Sequence, residues 1–324
     1  MALAHGKWRK LEQRGTGGPG ARSSHAVTVF AQKACVFGGE LTPRVPVDND
    51  LYVFDLHDLT WTVAAVTGDV PPPRIGVTMA SVGDTIYVFG GRDGAHKELN
   101  EFYSFDTRTN NWTLLSAGPP HRSYHSMTAD DRLVYVFGGC GVAGRLNDLW
   151  AYDVADQKWT EFPSPGEGCK GRGGSGLAVA GGRIWVLYGF SGSELDDVHC
   201  FDLAREEWVQ VDIEGEKPTP RSVFSTAAIG KYVFIYGGEV DPSDQGHLGA
   251  GKFAGEVYGL DTDAMVWKRW EDGGDHPGQR GWCAFSAGRR GGKEGLLVYG
   301  GNSPSNDRLG DIFFFTPCFE IHEK

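Results

Sequence analysis

The chain has 324 residues, with 42 acidic side chains against 31 basic ones and 48 glycines. A formal charge of −11 argues against sequence-independent nucleic-acid binding, which needs clustered Lys and Arg. An apolar share of 40% is too high for a disordered chain, and no run of about 18 apolar residues exists to cross a membrane.

From the N-terminus, Met1 to Trp8 lacks the apolar stretch of a secretory signal, and Gly6-Lys-Trp-Arg-Lys-Leu11 reads as a single strand. Six similar units then follow. Each opens on an arginine: Arg22, Arg74, Arg122, Arg172, Arg221 and Arg280. Each carries an apolar run closing on glycine, as in Cys35-Val-Phe-Gly-Gly39, Tyr87-Val-Phe-Gly-Gly91, Tyr135-Val-Phe-Gly-Gly139, Trp185-Val-Leu-Tyr-Gly189, Phe234-Ile-Tyr-Gly-Gly238 and Leu297-Val-Tyr-Gly-Gly301. An aromatic strand comes next, ending at Asp55, Asp106, Asp153, Asp202, Asp261 or Thr316. Five units then show a tryptophan, at Trp61, Trp112, Trp159, Trp208 and Trp267, spaced by 51, 47, 49 and 59 residues. That is near the ~50-residue period of kelch repeats.

Four short strands per unit, with Gly, Pro, Asn or Asp turns, predict an all-β, six-bladed kelch β-propeller forming one domain over residues 1–324. The sixth unit has no closing tryptophan, whereas Trp8 precedes the first complete unit. Residues 6–11 are therefore expected to supply the outermost strand of blade six, closing the ring without an unpaired edge. The tryptophans are expected to pack each outer strand against the neighbouring blade.

Strand parity places the functional face. With antiparallel alternation inside a blade, the loops opening on the arginines and the loops after the paired glycines lie on one side of the disc. The long segments Glu40 to Asp50 and Glu239 to Gly255 fall on that side, where binding residues concentrate. The six arginines either tie loops together or face an anion. Arg92 occupies a position that in the other units is Glu40, Cys140, Phe190, Glu239 or Asn302. It is thus the singular guanidinium of the set. In the fifth loop, Glu239, Asp241, Asp244 and His247 fall within nine residues, an oxygen and nitrogen donor set suited to a divalent metal or to a plain solvated turn. No Gly-x-Ser-x-Gly elbow, His-Glu-x-x-His or phosphate-binding loop occurs. The six cysteines form no Cys-x-x-Cys pair, so a reducing compartment is expected, cytoplasmic and open to the nucleus as well.

Gly20-Ala-Arg-Ser-Ser-His25, Phe37-Gly-Gly-Glu-Leu-Thr-Pro43, Asp50-Leu-Tyr-Val-Phe-Asp55, Phe89-Gly-Gly-Arg-Asp93, Arg221-Ser-Val-Phe224 and Arg280-Gly-Trp282 together resemble the plant kelch proteins of the nitrile-specifier, epithiospecifier and thiocyanate-forming group. The resemblance runs from Trp8 to Phe315. It implies a bare propeller that diverts myrosinase-released glucosinolate aglucones (thiohydroximate-O-sulfates) to nitriles with Fe²⁺, in functional association with myrosinase. The family's Glu-x-x-x-Asp-x-x-x-His iron loop maps onto Glu239 and His247, with Ser243 at the middle position and Asp244 or Asp241 as replacement ligand. The resemblance further implies that Arg92 holds the sulfate, that Trp282 forms an apolar wall, and that Tyr124 is the family's aromatic. The alternative is a non-catalytic kelch scaffold that offers the same face to a protein partner or a small anion. A copper oxidase of the kelch type lacks the required spacing evidence.

Overall fold

The computed structural model describes residues 4–319, so the outermost residues of the 1–324 span lie outside the description. Six antiparallel blades follow one another along the chain. The first is built from Ala26–Phe30, Lys33–Phe37, Tyr52–Asp55 and Thr60–Val63, paired in chain order. In the sixth, Ala284–Arg290, Lys293–Asn302 and Arg308–Cys318 are followed by the N-terminal strand His5–Lys10. Its Lys7, Trp8, Arg9 and Lys10 pair antiparallel with Thr316, Phe315, Phe314 and Phe313. The expected all-β propeller, closed by an N-terminal strand, is the observed fold. Among the described residues the only helical element is a 3₁₀ turn at Gly246–Leu248.

Apolar packing sits between blades rather than at the axis. Six buried clusters each draw on two neighbouring blades, and that of Val27, Phe54, Trp61, Leu297 and Tyr299 joins the first blade to the sixth. The tryptophans make these joints. Trp61 lies against Tyr299, Trp112 against Phe37, Trp159 against Phe89, Trp208 against Phe137 and Trp267 against Tyr188. Trp8 completes the series against Tyr236 at 4.9 Å. Burying such a side chain stabilises the fold by several kcal/mol each time.

The paired glycines have a steric cause. The N–H of the second one donates to the carbonyl of the next blade's arginine, in a series that ends with Gly301 to Arg22 at 2.9 Å. That approach leaves no room for a side chain: a Cβ on Gly38 would lie 2.6 Å from the Arg74 oxygen. The arginines are at most 2% exposed, and each serves its own blade. Arg122 donates to the carbonyls of Pro120 and Gly138 and holds both oxygens of Asp148 at 2.7 Å. Asp48, Glu101, Asp197, Glu256 and Asp311 face the other five. The loop-tying reading of the arginines therefore holds. The Asp that ends the third strand caps its turn, as where Asp55 Oδ1 accepts from the amides of His57 and Asp58.

Candidate functional site

Two residues after each opening arginine stand Ser24, Gly76, Tyr124, Gly174, Val223 and Trp282. All six are left-handed, with φ between +47° and +60°. The backbone N–H of each donates to the carbonyl of the one before it, Gly76 to Ser24, Tyr124 to Gly76, Gly174 to Tyr124, Val223 to Gly174 and Trp282 to Val223. Ser24 to Trp282, at 3.0 Å, closes the belt. Tyr124, Val223 and Trp282 are bulky residues in a conformation that costs about 1–3 kcal/mol each. The belt over-determines them. Space is tight at Gly174, where a Cβ would meet the Val223 Cγ1 methyl at 2.7 Å.

The belt floors a cavity of about 270 Å³ lined by Arg92, Tyr124, Arg145, Phe190, Glu239, Ser243, His247 and Trp282, among others. Arg92, Glu239, His247, Tyr124 and Trp282 thus share one mouth, on the face that strand parity indicates. His247 is part of its lining, with ring centroids 4.8 Å from Trp282 and 5.7 Å from Tyr124, both edge-on. Arg92 stands over the Tyr124 ring at 5.7 Å, and its Nε and Nη2 both donate to Glu98 Oε1. Burial pushes the Tyr124 hydroxyl far up, and the neighbouring Glu40 adds to the rise, so this phenol stays a proton donor.

Arg145 was not legible as a site residue. It is an exposed side chain over the Phe190 ring at 4.8 Å, and among the described residues no carboxylate pairs with it. Phe190, Cys140, Glu239 and Arg92 all follow their blade's final glycine and all line the cavity. That shared position marks Phe190 and Cys140 as lining residues, whereas nothing periodic marks Arg145.

Glu239 is the carboxylate of this cavity that no cation pairs with among the described residues. It is 7% exposed, and burial pushes its carboxyl up to about 7, against hydrogen bonds from the amides of Gly251 and Ser243. Nearby Glu194 has both carboxylate oxygens buried without a hydrogen-bond partner. Burial raises its carboxyl to about 8, opposed by Ser222 and reinforced by Glu239. A carboxyl raised by burial is one whose charge a bound cation would offset, and Glu239 and His247, an oxygen and a nitrogen donor lining the same cavity, fit a divalent metal. The two flanking aspartates are placed otherwise. Asp241 is exposed and ion-paired to Lys252 at 2.7 Å, and Asp244 is exposed and not among the residues that line the cavity. Among the described residues, the one group of three potential ligands gathered at metal-binding distances is Asp55, His57 and Asp58, on a surface turn.

Residues 24–238 match the KLHDC2/KLHL20/DRC7 Kelch-repeats domain. The chain is 42% identical to the N-(sulfonatooxy)prop-2-enimidothioate sulfolyase of Thlaspi arvense, over 96% of this chain and 97% of that one. It is 24% identical to Kelch domain-containing protein 3 of Rattus norvegicus, over 94% of this chain and 84% of the relative. The solved structure of YjhT superposes with a TM-score of 0.74 at 15% identity, covering 94% of this chain and 99% of its own, a likeness of fold. The chain belongs to the kelch-repeat proteins and, within them, to the plant nitrile-specifier and epithiospecifier family.

Proposed function

We propose that the mouth of this propeller diverts glucosinolate aglucones, released by myrosinase, to simple nitriles in the presence of Fe²⁺. The observation that carries the reading is the joining, in one cavity, of a buried carboxylate, an imidazole and guanidinium groups. The relative from Thlaspi arvense is named for a substrate with a sulfonatooxy group and a thiolate carbon. Such a dianion needs cationic donors at one end and a soft-sulfur acceptor at the other.

The sulfate falls to Arg92, as the resemblance implies, together with Arg145, which lines the same cavity free of a carboxylate and is a planar donor, whereas Arg92 is already engaged by Glu98. Trp282 supplies an apolar wall for the side chain of the aglucone, and the Tyr124 hydroxyl donates a hydrogen bond at the floor. Glu239 and His247 would hold the metal, which when bound supplies a Lewis-acidic centre for the thiolate sulfur. As sulfate departs with the N–O bonding pair, the C–S pair becomes the second C–N π bond. One sulfur atom is lost at the zero-valent level, and the charge balances. Holding one conformer lets this fragmentation compete with the spontaneous rearrangement to isothiocyanate, while the guanidinium groups offset charge on the departing sulfate.

The test is product analysis with myrosinase, a glucosinolate and Fe²⁺. Nitrile should exceed isothiocyanate severalfold over the same mixture with an inert protein. An equal ratio in both removes the enzymatic reading. The placement of Asp241 on Lys252 favours a second one, in which the mouth is an anion receptor; there the aglucone would bind but the product ratio would not change.

A further inference from the structure

We infer that Glu40 is a positioning residue for His247, fixing the tautomer of the imidazole and its place in the lining of the mouth. The inference rests on the reading that His247 acts there. Glu40 is 1% exposed, and every group facing its carboxylate is a donor. Oε1 accepts from Ser23 Oγ at 3.3 Å, Ser24 Oγ at 3.2 Å and His247 Nε2 at 2.8 Å. Oε2 accepts from the Arg44 amide. The Arg308 guanidinium, itself 4% exposed, lies 3.6 Å from Oε1.

A carboxylate surrounded by donors has no hydrogen to give. The hydrogen between Nε2 and Oε1 therefore belongs to the ring. In the neutral imidazole this leaves Nδ1 as the nitrogen with a lone pair, and no described residue hydrogen-bonds to it. Carboxylate–histidine pairs orient metal-binding imidazoles in this way. The contact is also long-range. Glu40 belongs to the first blade and His247 to the fifth, while Asn306 of the sixth donates to the Leu248 carbonyl at 3.1 Å. The short turn bearing His247 is thus held by loops of two other blades, and the ring is wedged against Trp282 and Tyr124. Glu40 keeps a structural task in tying down Ser23, Ser24 and Arg44, so its test needs a readout specific to the imidazole.

That readout is the two-bond ¹H–¹⁵N spectrum of histidine-labelled protein without metal. His247 should show the Nε2–H tautomer with two well-separated nitrogen shifts. In Glu40→Ala the two nitrogens should move together as the tautomers interconvert, and Fe²⁺ alone, titrated anaerobically by calorimetry, should bind about 10–100-fold more weakly. Glu40→Gln keeps an acceptor oxygen and should restore the tautomer. An Nδ1–H tautomer in the wild type overturns the inference even if Glu40→Ala does not fold, and so does an unchanged His247 signal in a folded Glu40→Ala. The spectrum decides the role of Glu40 separately from product analysis: a wild type with the Nε2–H tautomer and no nitrile would sink the proposed activity and leave the positioning intact.

Discussion

Deleting residues 1–11 should lower the melting temperature by about 10 °C or more. The segment contains Trp8, 0% exposed, whose indole packs on Tyr236 and Phe315 at 4.9 Å each and donates from Nε1 to Asp272. Truncating a buried tryptophan alone costs about 3–5 kcal/mol. The deletion also strips the ladder partners of Phe313 to Cys318 and of Glu271 to Gly274, leaving two open edges where there are none. At roughly 2–4 °C per kcal/mol in a large domain, the loss is readable by calorimetry. Trp8→Ala in the intact chain should fall between the wild type and the deletion. A deletion variant that melts at the wild-type temperature would mean that the N-terminal strand does not hold the ring closed.

Glu239→Gln should separate chemistry from folding. Nitrile yield should fall to that of Fe²⁺ with inert protein, because an amide oxygen replaces a buried carboxylate that lines the cavity with no cation paired to it among the described residues. Stability should move the other way. The Glu239 carboxyl is raised in the folded chain to about 7 from an ordinary 4.5, so the folded state binds more protons between these values. Stability of the metal-free wild type therefore declines as pH climbs from about 4.5 through 7, and Glu239→Gln lacks that part of the slope. Urea unfolding at pH 5 and pH 8 should show the variant gaining on the wild type at the higher pH. Equal slopes would show that the carboxylate is paired in solution.

The repeats were readable because each repeated residue performs one repeated task. Tryptophan at the outer strand, arginine at the inner loop and glycine at the blade contact recur because the same geometric problem recurs six times. Arg92, peculiar to one blade in the sequence, lines the mouth; its engagement by Glu98 is not visible there, because Glu98 is one of many acidic loop residues. Glu40 and His247 touch across 207 residues, and nothing periodic links them. Val223 and Trp282 occupy one belt position, but their shared left-handed backbone follows from closure of the belt, which no single unit contains. The fifth loop matched a ligand pattern in one dimension. In three dimensions its aspartates turn outward, one of them drawn by Lys252.

The most direct measurement is anomalous scattering at the iron edge from crystals grown anaerobically with Fe²⁺. One peak is expected in the mouth, between the Glu239 carboxylate and His247. A peak at the Asp55–His57–Asp58 turn instead, with the mouth empty, would contradict the assignment of that cavity as the metal-dependent site.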